Sequence, residues 1–330
     1  MTACCKTIST MPIKKRLLGR TGLEVTEIGL GGYWFKDRSL GHEFARVVHR
    51  AIDLGVNLVD TAPGYKDSEI VLGEALEGAW RNKIVLSTKY YPYDGEDKLN
   101  LKGADCIATV EESLKRLKTD RLDLLHLHWV HSAEDIANVP DSGLGSALLR
   151  LKKDGKILHI ALSEASELDG EHQMLIKTLP TRFFESIMVT YNILLQNAEQ
   201  KVLELARETN TGVLVMMALN QPTDGRSGLI SRECAMENIR HLVAEKVLPD
   251  SPTYLNPSLF DFLIEGSNRT LAQSALRYVL DHPSVTSALV GTSSEKHLDE
   301  NIGVSYLEPL PRPIHMHARE LFGTINKHIK

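Results

Sequence analysis

Eight short apolar runs, each followed by a helical pattern, constrain this chain more than any other feature. The runs fall at 27–31, 57–60, 84–89, 123–128, 157–162, 186–190, 212–217 and 287–290, and helical spacing follows at 42–54, 68–77, 102–117, 144–154, 171–179, 199–209, 270–281 and 295–303. Strands that alternate with helices run parallel, and eight such pairs suffice to close a barrel. An open doubly wound sheet is the rival. It calls for a G-x-G-x-x-G turn opening a helix after the first strand, and "IGLGGYWF" (28–35) is not one. The expectation is an α/β fold, a (β/α)8 TIM barrel.

Local signals support this division. Residues 14–25, "KKRLLGRTGLEV", read as an N-terminal β-hairpin turning at "GRTG". Gly55 and Gly155 stop the helices before them, and Ser68 is expected to cap the helix that carries Glu69 in its first turn. The segment between Met217 and Arg269 is a long loop with weak helical content after the seventh strand. In a barrel it emerges on the face where active sites are built. The 330 residues form one barrel domain, with 1–12 as a flexible tail.

Composition narrows the function classes. A net charge of -5 without a basic run argues against nucleic acid. No apolar run approaches the roughly 20 residues that span a bilayer. The start, "MTACCKTISTMP", has no apolar signal core, so a cytoplasmic location is expected. Cys4, Cys5, Cys106 and Cys234 make neither a disulfide framework nor a metal pattern. His126, His128 and His131 lack an evident third ligand partner, so no metal is expected, and His126 reads as a lower-layer barrel residue.

Polar residues at strand ends carry the chemistry. Asp60 closes the second predicted strand, Lys89 the third and His128 the fourth, and Tyr65 lies in the turn after the second. A barrel gathers all four at one mouth. Taken singly, each has a bland reading as a cap, a rim residue or a satisfied core residue. As a set they make a proton-transfer apparatus. A free phenol has a pKa near ~10, and a nearby ammonium favours its ionised form, so Lys89 is expected to lower the pKa of Tyr65. Asp60 supplies the lysine's counter-charge, and His128 hydrogen-bonds and orients a substrate oxygen. Trp34, Phe35, Tyr90, Tyr91 and Tyr93 follow predicted strands, and stacking on substrate and packing within loops are equal readings of them. Arg226 and Arg269 are candidates for pairing with an anion, with solvated surface the favoured reading.

"LGRTGLEV", "DTAPGY" with "SEIVLGEAL", "LSTK", "LDLLHLHW" and "GTSSEKHLDEN" follow the order found in the aldo-keto reductase superfamily. The chain resembles that superfamily from about residue 14 to 303, most closely its aldose or galactose dehydrogenase branch. The resemblance implies a barrel closed at its base by the hairpin, a nicotinamide cofactor across the mouth, and hydride transfer to or from a small polar aldehyde, ketone or sugar. By motif match Tyr65 is the proton donor, Lys89 and Asp60 tune it, and His128 orients substrate. The backbones of Gly32 and Tyr33 lie near the nicotinamide, Asp60 belongs to the cofactor-binding set as well, and Ser163 holds the carboxamide. Gly291, Thr292 and Ser293 bind phosphate at a helix start, Glu300 and Asn301 read the adenine, and His297 with Lys296 stands where a 2′-phosphate is held. NADP is thereby favoured over NAD.

The match departs from the family pattern at the nicotinamide end. Glu164 follows Ser163 in place of Asn, Met188 stands where Gln precedes "YN", and "MMALNQP" offers Ala218 and Leu219 where a stacking aromatic is usual. An unpaired carboxamide group in a closed site costs on the order of 1–3 kcal/mol. These departures motivate an alternative, a lyase or isomerase reusing the same four residues without a functional nicotinamide site. A non-catalytic regulatory barrel is a third reading, which the intact four-residue set argues against.

Overall fold

The computed structural model describes residues 12–94, 98–219 and 228–325. It opens with an antiparallel hairpin of β1 (Lys15–Leu17) and β2 (Glu24–Thr26). Eight parallel strands follow: β3 (Ile28–Gly31), β4 (Leu58–Asp60), β5 (Val85–Tyr90), β6 (Leu122–Val130), β7 (Ile157–Glu164), β8 (Ser186–Thr190), β9 (Gly212–Met216) and β10 (Ser287–Val290). They close into a barrel in chain order, with β10 pairing back to β3. This is the (β/α)8 architecture expected from the alternation of runs and helices.

Outside the barrel lie α1 (Gly41–Asp53), α2 (Ser68–Ala75), α3 (Ala104–Arg116), α4 (Ala133–Ala137), α5 (Gly143–Lys153), α6 (Gln173–Thr178), α7 (Val202–Glu208), α8 (Arg232–Ala244), α9 (Leu271–Leu280), α10 (Glu295–Gly303) and α11 (Arg312–Phe322). Helix α1 shows the logic: Phe44, Val47, Val48, Ala51 and Ile52 are its buried face, spaced by three and four. Gly55 ends it in the left-handed region, at φ 102°. Helix α9 begins with a capping box between Thr270 and Gln273.

One local expectation is corrected, one is borne out, and one element is new. Ser68 is not a capping residue: it is the first residue of α2, and its hydroxyl donates to Gly32 O at 2.8 Å and pairs with Thr61 Oγ1 at 2.7 Å. The helical content expected after β9 is present as α8, and a 3-10 turn at Asp261–Leu263 follows it. Helix α11 is absent from the sequence expectation. It packs Ala318 and Phe322 inward, and Arg319 meets Glu199, which also accepts from Tyr191 and Tyr278.

Strand alternation divides the interior. Leu58, Val85, Leu124, Met188 and Leu214 face the barrel axis in one apolar cluster, which Leu18 and Val25 of the hairpin complete from below. Their neighbours Val59, Leu86, Leu125, Ile187 and Val213 face the helices. The hairpin therefore closes the base. Gly19 makes this approach possible: its φ is +53°, and a Cβ there would lie 2.2 Å from the Gly212 nitrogen. Arg20 anchors the turn through Thr211 Oγ1 at 2.8 Å and the carbonyls of Thr209 and Arg182 at 3.1 and 3.0 Å.

Candidate active site at the barrel mouth

Register places the polar layer above the apolar one. Asp60 is the Cα partner of Ser87, and Lys89 is the partner of His126. Because side chains two apart share a face, Ser87 and Lys89 follow inward-facing Val85, and His126 and His128 follow Leu124. The Lys89 ammonium donates to Asp60 Oδ2 and, at 2.7 Å, to the carbonyl of Thr61. Ser87 Oγ donates to Asp60 Oδ1 at 2.8 Å and lies 3.1 Å from His126 Nδ1. His126 is fully buried as expected, and its Nε2 has no hydrogen-bond partner among the described residues.

Tyr65 stands on this layer. The Lys89 nitrogen is 4.9 Å from its ring centroid, His128 meets the ring edge-on at 5.9 Å, and Tyr33 does so at 5.2 Å. A cavity of about 300 Å3 opens beside them, lined by Asp60, Tyr65 and His128 together with Gly31, Gly32, Tyr33, Trp34, Ser163, Glu164 and Gly291. All four candidates from the sequence thus meet at one mouth, with a cavity next to them.

Their electrostatics differ from the expectation in one respect. Tyr65 is not shifted down. Burial raises its pKa above 10.0, and the opposing attraction of Lys89 is partly cancelled by Asp60. Burial thus outweighs the lysine, whose pull Asp60 offsets in part. Lys89 is held protonated: burial disfavours its charge, but Asp60 and Tyr65 outweigh burial and raise its pKa. Burial, reinforced by Lys89, depresses His128 to about 3, so its imidazole is neutral near pH 7. A neutral imidazole and a protonated phenol are both able to donate a hydrogen bond to one oxygen.

The strand carrying His128 runs two residues further than expected, with a register irregularity between Leu127 and Val130 and Trp129 at φ 59°. Trp129 lines the cavity, and its indole N–H donates to Glu167 at 2.5 Å. Of the other aromatic candidates, Trp34 lines the cavity, Phe35, Tyr90 and Tyr93 are core residues, and Tyr91 is exposed. Gly291 permits a close approach, since a Cβ there would meet Trp34 at 2.7 Å.

Of the positions that the sequence comparison with the family pattern singled out, Ser163, Glu164, Met188, Ala218 and Leu219 all line the cavity, joined by Met216 and Met217. Glu164 is fully buried: Oε1 accepts from the Thr190 N–H at 2.7 Å, and Oε2 lies 2.7 Å from His172 Nδ1. His172 was not a sequence candidate. It precedes α6 in the left-handed region, φ 55°, and no local pattern pairs it with a residue eight positions earlier. Tyr191 lies in the core, while Asn192 donates to the Met217 carbonyl at 3.0 Å and so braces the end of β9.

Thr292, Ser293, His297, Glu300 and Asn301 lie outside the cavity, before and along α10. Ser293 and His297 are exposed, Thr292 and Asn301 are buried, and Glu300 accepts from Thr270 Oγ1 at 2.6 Å. Arg269 donates to the Glu308 carbonyl at 2.6 Å, and Arg226 falls outside the described residues. Cys106 is buried, with burial pushing its thiol up to about 12, and Cys234 is partly exposed. Cys4 and Cys5 lie outside the described residues. Among the described residues no group of three or more His, Cys, Asp or Glu is placed to hold a metal, and no helix is long and apolar enough to cross a membrane.

A closed parallel barrel with a buried Lys–Asp pair, a phenol and an imidazole beside one mouth cavity defines a barrel protein equipped with acid–base side chains. The chain belongs to the aldo/keto reductase family, whose sequence model matches residues 27–313, and the class this assigns is an oxidoreductase. It is 25% identical over 304 residues to the probable aldo-keto reductase 1 of Glycine max, covering 88% of this chain and 83% of that protein. It is 27% identical to the holo form of aldo-keto reductase AKR11C1 from Bacillus halodurans, with a TM-score of 0.71 over 94% of this chain and 96% of that one. In fold it is also like an aldo/keto reductase from Klebsiella pneumoniae solved in complex with NADP and acetate, at 24% identity and a TM-score of 0.68 over 94% and 96% of the two chains.

Proposed function

We propose that the protein transfers hydride between NADP and a small polar aldehyde, ketone or sugar, with Tyr65 as the proton donor and acceptor at the reacting oxygen. The observation that carries this reading is the Lys89 ammonium, fixed between Asp60 and the Thr61 carbonyl, next to a phenol that lines a cavity together with a neutral imidazole. The cavity suits a flat ring bearing an amide: Met188, Met216, Ala218 and Leu219 offer apolar wall, and Ser163 with Glu164 supplies polar groups on the β7 side. When bound, the nicotinamide supplies or accepts the hydride. The Klebsiella pneumoniae relative was solved with NADP, and exposed Lys296 and His297 in the first turn of α10 favour NADP over NAD.

In reduction, Tyr65 and His128 bind the carbonyl oxygen, and Tyr65 passes its proton to the oxygen as negative charge develops there. The raised pKa of Tyr65 keeps that proton in place near neutral pH, and Lys89 stabilises the phenolate left behind. In the opposite direction the same phenolate removes the alcohol proton. Lys89 and Asp60 act through Tyr65 and are positioning residues.

The test is a fluorescence titration with NADPH and NADH, followed by turnover of simple aldehydes and aldoses. We expect micromolar NADPH binding, and a loss of at least ~100-fold in turnover in Tyr65→Phe with NADPH affinity kept, the usual scale for a lost general acid. Unchanged turnover in that variant would remove Tyr65 from the reaction. A barrel that binds no nicotinamide at millimolar concentration would favour the lyase or isomerase reading.

A further inference from the structure

Glu164 forms part of the cavity wall, while its partner His172 stands behind it, outside the lining. The described residues that line the cavity include three carboxylates and neither Lys nor Arg. Two of the three are accounted for: Asp60 by the Lys89 ammonium, and Glu167 by its exposed position and its bond to Trp129. Glu164 is enclosed, next in sequence to Ser163, and held in place at both oxygens.

We propose that Glu164 makes this cavity prefer the oxidised, cationic form of the nicotinamide over the reduced, neutral form, with His172 setting the strength of that preference. The inference rests on the function proposed above. A nicotinamide ring carries a positive charge only when oxidised, so a fixed negative charge in a wall of low dielectric attracts one form and is nearly indifferent to the other. An uncharged amide at this position makes no such distinction. Burial raises the pKa of Glu164 against the pull of His172 and the Thr190 N–H, while at His172 the carboxylate outweighs burial and raises the pKa, so protonation of the pair falls on the imidazole behind the carboxylate and offsets part of its field. The pair presents its negative end to the cavity. The preference acts on binding and on the balance between the two bound cofactor forms, which makes Glu164 a positioning residue.

Titration with NADPH, and its displacement by NADP+, tests this in the wild type, Glu164→Gln and His172→Asn. Gln keeps an acceptor for the Thr190 N–H, and Asn tolerates the left-handed backbone at 172. We expect Glu164→Gln to weaken NADP+ about tenfold and NADPH less than about twofold. His172→Asn leaves the carboxylate uncompensated and shifts the ratio the opposite way, towards tighter NADP+. A purely structural role would move both forms together in both variants, and that result overturns the inference. Should Glu164→Gln melt early, the opposite-signed shift in His172→Asn decides alone, and its absence also overturns the inference. Wild-type protein that binds neither form overturns the proposed function and the inference with it, a result distinct from an unchanged ratio.

Discussion

His128 illustrates how far environment moves a residue from its ordinary chemistry. A free imidazole titrates near 6.5, and burial beside Lys89 takes this one to about 3. Protonation of His128 is therefore finished well below the working range and adds no acid limb between pH 5 and 8. His128→Gln keeps a hydrogen-bond donor at lower precision. We expect it to lower kcat/KM about tenfold, below the loss seen when a donor is removed outright, without changing the pH profile between 5 and 8. A limb near 6.5 in the wild type that disappears in the variant would contradict the neutral imidazole. Tyr65 moves the other way, since burial raises it above 10.0. As a donor it stays loaded as pH rises through neutrality, so reduction is not limited by loss of this proton until pH exceeds the ordinary phenol range.

At the scale of elements, the joint between β7, β8 and α5 depends on one carboxylate. Glu185, just before β8, meets His159 Nδ1 at 2.8 Å, Lys152 Nζ at 2.6 Å and the Ile160 N–H at 3.2 Å. Burial works against the charge, but these three donors win and pull the carboxyl down to about 2. Its folded pKa lies below the ordinary 4.5. The stabilisation is therefore fully present above pH 4.5 and is lost as pH falls from there through 2. Its size near neutrality is on the order of 2 kcal/mol after allowance for solvent around the pair. Urea denaturation of the wild type and Glu185→Gln should differ by that amount at pH 7 and converge near pH 2. A difference independent of pH would mean that the loss is steric and not electrostatic.

For the whole molecule, the two ends of the barrel do separate work. The base is plugged by Leu18 and Val25, which join the interior layer of Leu58, Val85, Leu124, Met188 and Leu214. The mouth carries the polar layer of Asp60, Ser87, Lys89, His126 and His128. Leu18 is fully buried, so Leu18→Ala should destabilise by about 3 kcal/mol, the range for a large-to-small core change. Leu18 does not line the cavity and reaches it only through the layer that holds Met188, so the folded variant should keep the NADPH affinity of the wild type. Calorimetry and cofactor titration on the same sample measure both, and weakened binding in folded protein would show that the two ends are coupled.

The sequence by itself determined the architecture. Apolar runs of strand length alternate with helical spacing, and the run at 186–190 is the observed β8 without change. The catalytic candidates were legible for the same reason: a strand of period two delivers Asp60, Lys89 and His128 to one mouth once the barrel closes. What only the tertiary structure decided depends on neighbours that no local period encodes. Burial reversed the direction expected for Tyr65, because desolvation and Asp60 together outweigh the lysine. Glu164 met His172 across the start of a helix, α11 settled on Tyr191 and Tyr278 through Glu199, and of two equal readings Phe35 took the packed core. Periodicity reports which face of an element is apolar, whereas charge and proton affinity are set by how much water the closed fold leaves around each group.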